Sequence, residues 1–288
     1  MYLYRHFTSQ EEIDLQYNFS LTVSDVASWG DFYARESQKA RDQFDCALDV
    51  SYGPTIPETV DIFPAKDPGA PLLVYIHGGY WCSRSSKDFD LVANAFVNHG
   101  ITVAVMNYAL CPAVTISEIT RQSRALIAWL HKEATNYNAD PKRIFVCGHS
   151  AGGQQVAMLA ATNWAEDYGL SGNVIKGGVA ISGIYDLGGL PYSYLQPKLQ
   201  LTHEVILRES PLLSIPDFGP PVLVSCGAKE TAELRRLTTE YYQARHTRGL
   251  TGDLLIQKDK MHFSAIEGLN DPDSELCKAM LDFMAKCE

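Results

Sequence analysis

The chain lacks any run approaching roughly 18 consecutive apolar residues, the length a transmembrane helix needs, so no membrane span is expected. Met1 to Gln10 carries no apolar stretch either, and a secretory signal peptide is not expected. No Cys-x-x-Cys pair occurs: the seven cysteines, at positions 46, 82, 111, 147, 226, 277 and 287, are odd in number and dispersed. That pattern reads as reduced, mostly buried thiols in a cytoplasmic protein, and it leaves the sequon Asn18-Phe19-Ser20 without meaning. There is no His-Glu-x-x-His or comparable cluster, so neither metal nor other cofactor is expected. Lys and Arg are nowhere bunched, and 24 basic against 34 acidic residues give a net charge of -10. Such a surface suits neither nucleic acid nor anionic membrane, and a small molecule is the expected partner. Self-association into a homo-oligomer is left open. Repeats and low-complexity tracts are absent.

What is present is an ordinary globular composition, 46% hydrophobic over 288 residues, long enough to bury a large core as one domain over residues 1–288. Residues 9–44 are polar, helix-like and aromatic-bearing, and open on a capping-box pattern, Ser9-Gln10-Glu11-Glu12. Ala47–Tyr52 and Thr59–Phe63 read as strands punctuated by prolines. From Leu72 onward short apolar runs (Leu72–Ile76, Thr102–Met106, Ile144–Cys147, Gly178–Ile181, Val222–Ser225, Leu254–Ile256) alternate with helical stretches (Lys87–His99, Ser117–Tyr137, Ala151–Asn163, Thr231–Thr247, Ser274–Lys286). Near-continuous apolar strands between helices predict an α/β architecture, a mostly parallel central sheet covered on both faces. Residues 188–221 break the rhythm and are expected to form a lid-like excursion over the carboxyl ends of the strands.

Gly148-His149-Ser150-Ala151-Gly152 follows an apolar strand and opens a helix. The five-residue pattern is weak alone, and its ordinary alternative is a Gly-rich turn. In this context the glycines permit a strained strand-to-helix turn that lifts the Ser150 hydroxyl off the sheet as a nucleophile. His77-Gly78-Gly79-Tyr80-Trp81 follows an earlier strand, where such a turn supplies an oxyanion hole. The expected donors come from the backbone of Gly78, Gly79 and Tyr80, with Ala151 after the nucleophile. Together the two turns define an α/β-hydrolase fold.

That fold needs an acid and then a histidine downstream of the serine. His203 lies in the irregular excursion and His246 in a helical segment. His262 follows the last strand and precedes the last helix, and is the expected general base. Glu230, in the loop after Val222–Ser225, ranks first as the acid. Glu233 stands one turn on, where a first-turn carboxylate also serves the helix dipole, and Asp253 and Asp259 fall on the strand leading to His262.

The chain resembles the arylformamidase (kynurenine formamidase) branch of the α/β-hydrolases, close to the hormone-sensitive-lipase-like esterases. The likeness is carried by Leu15-Gln16-Tyr17-Asn18, the His77–Trp81 turn, Asp140–Ile144 leading into Gly148–Gly153, Ile181-Ser182-Gly183-Ile184-Tyr185-Asp186-Leu187, Glu209-Ser210-Pro211-Leu212, the acid loop and His262. It implies hydrolysis of N-formyl-L-kynurenine to kynurenine and formate, a step of tryptophan breakdown. Trp81, Tyr185, Tyr192 and Phe263, with Tyr80 and Tyr194, are then candidate stacking surfaces for the aryl ring, the alternative for each being core or lid packing. Three departures stand out. The acid is Glu230 rather than Asp, Gln154 stands where His commonly follows, and Gly188-Gly189 replaces a proline often found after the Asp-Leu pair. A carboxylesterase of short-chain or aryl esters would use the same machinery, and a ligand-binding protein on a hydrolase scaffold would need none of it intact.

Overall fold

In the computed structural model, which describes residues 2–23 and 25–288, the apolar runs assemble into one eight-stranded sheet. Its strands are β1 (Ala47–Ser51), β2 (Thr59–Phe63), β3 (Ala70–Ile76), β4 (Thr102–Met106), β5 (Ala139–His149), β6 (Ile175–Ile181), β7 (Val222–Gly227) and β8 (Leu254–Gln257). They lie in the order β1-β2-β4-β3-β5-β6-β7-β8. β2 runs antiparallel to β1 and β4, and from β4 to β8 every pairing is parallel.

The helices are α1 (Gln10–Tyr17), α2 (Val26–Gln43), α3 (Ala93–Phe96), α4 (Ile116–Glu133), α5 (Ala151–Ala160), α6 (Trp164–Tyr168), α7 (Gln196–Leu199), α8 (His203–Glu209), α9 (Ala232–Thr247) and α10 (Glu275–Cys287). Alternate residues of β3 explain why the strands read as unbroken apolar runs. Leu72, Val74 and Ile76 enter one core with α4, α5 and α9, while Leu73 and Tyr75 enter another with α3 and α10.

Two expected helices are divided. Residues 9–44 form α1 and α2, separated by a 3₁₀ turn at Phe19–Leu21. The capping box of α1 is formed, with Ser9 Oγ accepting from Glu12 N and Glu12 Oε2 from Ser9 N, each at 3.3 Å. Lys87–His99 is not one helix but a chain of 3₁₀ turns around α3. Contacts to α2 override its helical propensity: Leu91 N donates to Ser37 Oγ (3.1 Å) and Arg41 to the buried Asp90 carboxylate (2.5 Å). Residues 188–221 hold α7, α8 and 3₁₀ turns.

The seven cysteines are free thiols. Among the described residues no helix is long and apolar enough to cross a membrane, and no group of three His, Cys, Asp or Glu is placed to hold a metal ion. Chain order reverses at β3, which lies between β4 and β5. The carboxyl ends of β3 and β5, in register at Ile76 and Gly148, therefore form the switch point where open α/β sheets bind ligands.

Candidate active site

β5 delivers Ser150 into the first turn of α5 with φ 57° and ψ -116°, a conformation that costs a non-glycine residue about 1–3 kcal/mol. The surrounding backbone holds it there. Ser150 N donates to Ile181 O at 2.9 Å. A Cβ on Gly152 would sit 1.9 Å from Ile76 O, and one on Gly148 would sit 2.3 Å from Gly152 O. Only glycines let the elbow close this tightly against β3.

The turn after β3 is equally constrained. Gly79, Tyr80 and Trp81 all have positive φ (111°, 50° and 55°), and side chains pin them. Tyr80 donates its hydroxyl to Tyr17 O (2.5 Å), Trp81 Nε1 to Gln154 Oε1 (3.2 Å), and Ser83 Oγ to Gly79 O (2.9 Å). Gly78, Gly79 and Tyr80 line the same cavity as Ser150, and Ala151, as the first residue of α5, has an N–H with no partner inside its own helix. Beneath the turn His77 is stacked on Tyr108 (centroids 4.1 Å apart) and on Phe89 (5.7 Å). Its Nδ1–H donates to Gly78 O at 2.7 Å, leaving Nε2 buried without a partner among the described residues. Burial pushes its pKa down to about 4, so the ring is neutral at physiological pH.

His262 Nδ1 lies 2.9 Å from Glu230 Oε2. A carboxylate can only accept, so Nδ1 carries the proton and Nε2 is the free base. Glu230 Oε1 accepts from Ser182 Oγ (2.5 Å) and Gly227 N (2.8 Å), so the fully buried carboxylate has its lone pairs satisfied in an orientation aimed at the imidazole. His149 donates Nε2–H to His262 O (3.0 Å). Its own pKa lies well below the ordinary histidine value through burial and then the neighbouring His262, which keeps it an uncharged prop.

The other acids are engaged elsewhere. Glu233 pairs with Arg236 and accepts the Tyr17 hydroxyl (3.4 Å). Asp259 is exposed on Lys229 (2.8 Å) and Asp253 on Lys286 (3.6 Å). His203 and His246 are exposed on helices.

A cavity of about 330 Å³ opens over Ser150 and His262, at the small end of the roughly 300–1,000 Å³ of ligand pockets. Its walls differ from expectation. The N-terminal arm contributes Asn18, Phe19 and Ser20, and α2 contributes Val26 and Tyr33, whereas the 188–221 excursion contributes Tyr194 alone. Of the aromatic candidates, Phe263, Tyr80 and Tyr194 line the cavity. Tyr185 does not: it is fully buried, stacked on Tyr241 at 4.1 Å, with its hydroxyl on Ala180 O. Trp81 is fully buried on Gln154, and Tyr192 opens onto a separate surface recess with Gln10 and Pro197. An aromatic next to a motif packs wherever its rotamer finds apolar volume, and for Trp81 and Tyr185 that volume is the core.

Reasoning from the sequence missed Phe19, Tyr33, Ser182 and Arg84. The docking of the arm also explains the departure at Gly188-Gly189. Tyr4 donates to Asp186 Oδ2 (2.7 Å), a Cβ on Gly188 would meet the Tyr4 ring at 3.1 Å, and Gly188 N donates to Asp186 Oδ1 (2.8 Å), a bond that proline cannot make. Gln154, standing where the resemblance expects His, joins the oxyanion turn to Glu209 O (2.8 Å).

The parallel sheet, the elbow, the Gly-rich turn and the His262–Glu230 pair are those of an α/β-hydrolase. Residues 60–230 match the BD-FAE family. Kynurenine formamidase of Danio rerio is 29% identical, over 96% of this chain and 97% of the relative. The Salmo salar kynurenine formamidase is 30% identical over 87% and 86%. A crystal structure from Silicibacter sp. TM1040 is similar with a TM-score of 0.78 at 28% identity, covering 90% of this chain and 95% of that one. The fold is shared more widely, as with the hyperthermophilic esterase of Pyrobaculum calidifontis (TM-score 0.71, 18% identity, 90% of each chain). The chain belongs to the BD-FAE family and to the kynurenine formamidase family.

Proposed function

We propose that the protein is an arylformamidase that hydrolyses N-formyl-L-kynurenine to kynurenine and formate through a formyl-enzyme. One observation carries the reading: the His262–Glu230 pair and Ser150 share a small, aromatic-walled cavity, in a chain whose full-length relatives are kynurenine formamidases. Formyl is the smallest acyl group, so the oxyanion turn can close on it while Phe19, Tyr194 and Phe263 flank the aryl ring.

In this mechanism Ser150 Oγ attacks the formyl carbon as His262 Nε2 takes its proton, and Glu230 holds the Nδ1–H and supports the imidazolium. The amides of Gly79, Tyr80 and Ala151, on a turn kept open by Gly78, receive the oxyanion. Each such donor is worth roughly 10²–10³ in rate. The tetrahedral intermediate collapses as His262 returns the proton to the leaving aryl amine. Water, deprotonated by His262, then attacks the formyl-serine and releases formate. The proposed setting is the cytoplasm, in keeping with seven free thiols.

A fluorophosphonate probe is expected to label the native protein and not Ser150→Ala, and absence of native labelling would sink the serine mechanism. The substrate is tested by kcat/KM for N-formyl-L-kynurenine against p-nitrophenyl acetate and butyrate. A value for the formamide far below the esters would make the protein a carboxylesterase instead.

A further inference from the structure

Of the described residues that line the cavity, Arg84 is the sole lysine or arginine, and no aspartate or glutamate stands among them. It belongs to the same loop as the oxyanion turn, and its own backbone is held at φ 77°, a left-handed conformation that a bulky side chain adopts only when the surroundings impose it. Its nearest carboxylate, Asp88, is 3.6 Å away, beyond hydrogen-bond length, because the other Asp88 oxygen accepts from Ser85 N at 3.0 Å. The five donors of the guanidinium are therefore unsatisfied by any close partner among the described residues. Gly30 of α2 makes its berth: a Cβ there would stand 3.2 and 3.3 Å from the two terminal nitrogens. Only a third of the side chain is exposed.

A partly desolvated cation whose one carboxylate neighbour stands off at 3.6 Å, in a cavity whose described lining carries no carboxylate, is unusual in a protein of net charge -10, whose field otherwise repels anions. We propose that Arg84 is the carboxylate subsite of this enzyme. Its planar fork takes the carboxylate of the amino-acid tail of the leaving aryl amine in two hydrogen bonds, with the formyl group on Ser150 and the ring between. Arg84 thereby sets specificity for aryl formamides that carry an anionic side chain over neutral ones. The inference rests on the formamidase reading and adds to it the residue that recognises the tail.

The test compares N-formyl-L-kynurenine with its carboxamide, in the native enzyme, Arg84→Gln and Arg84→Lys. The native enzyme is expected to prefer the acid, chiefly through KM. Arg84→Gln loses that preference by about 10- to 30-fold, the lower part of the range for hydrogen bonds to charged groups, read as the ratio of kcat/KM for the acid to that for the carboxamide. Arg84→Lys keeps part of the preference, as a point charge without the fork. Equal native values for acid and carboxamide, or a loss in Arg84→Gln shared by both, would overturn the proposal. If the native enzyme cleaves neither formamide, it is the formamidase reading that fails. Aryl acetates with a propionate or a propionamide side chain then read the same ratio for Arg84, and the same two results decide it.

Discussion

The ring of Phe19 lies face to face with the imidazole of His262, centroids 3.9 Å apart and planes 26° from parallel. The residue that covers the base thus comes from the opposite end of the chain from the base itself, in the 3₁₀ turn between α1 and α2. The arm is fastened by Tyr4 to Asp186, by Thr231 Oγ1 to Gln16 O and by Tyr80 to Tyr17 O. It shields one face of the imidazole from water, which strengthens the electrostatics of the triad.

Phe19→Ala opens that face. The expected result is a fall in kcat/KM on the order of tenfold from a less constrained base, with a loss of about 1–3 kcal/mol in urea unfolding. Phe19→Leu, which keeps apolar cover, is expected to retain most of both. Unchanged kinetics in the alanine variant would show the arm to be a bystander.

Replacement of the nucleophile separates function from strain. Ser150→Ala is expected to lower kcat by roughly 10⁴-fold or more. Ser150→Gly is equally inactive but unfolds at higher denaturant, by about 1–2 kcal/mol, since glycine carries a φ of 57° without penalty. Equal stability of the two variants would contradict the strain at the elbow.

The two neighbouring carboxylates should respond differently. Glu230→Gln presents an amide to His262 Nδ1, unsettles the tautomer, and is expected to reduce kcat by about 10³–10⁴-fold. Glu233→Gln breaks the pairing with Arg236 and is expected to cost about 1–3 kcal/mol of stability while kcat stays near native. A reversed outcome in steady-state assays would move the triad acid to Glu233.

His77 gives stability a pH dependence. Its folded pKa of about 4 lies below the unbound value of 6.5, so below pH 6.5 the unfolded chain takes up a proton that the folded one refuses. The contribution of the neutral ring is full above 6.5 and is lost as pH falls toward 4, about 3 kcal/mol in all. Asp90 acts in the opposite sense: burial, and then the neighbouring Asp61, raise its pKa to about 7, so protonation favours the folded state as pH drops. Chemical denaturation between pH 4 and 7 should show native and His77→Asn diverging most at neutral pH and converging on acidification. Parallel curves would refute the shift.

The turns carrying Ser150 and the proposed oxyanion amides were legible from the sequence as turns, because they depend on backbone local to a few residues, where only glycine fits. His262 was legible for another reason: chain order within this sheet leaves one histidine after the last strand. Glu230 and Glu233 differ by less than one helical turn, so local sequence ranks Glu230 first by its place in the loop but does not by itself exclude Glu233. The hydrogen bonds from Ser182 and Gly227, on strands β6 and β7 and their ends, turn Glu230 inward, while Arg236 draws Glu233 away.

The sequence by itself determined the sheet, the strained turn at Ser150 and the chain order of the proposed catalytic groups, since these follow from periodicity and from steric limits within short segments. Only the tertiary structure decided what surrounds them. Tyr185 belongs to the core and Phe19 to the site, although both are aromatic and both follow recognisable motifs. The choice depends on which distant surface each ring meets, and that meeting is made by packing of the N-terminal arm across the ends of the strands rather than by any property of the residues beside it.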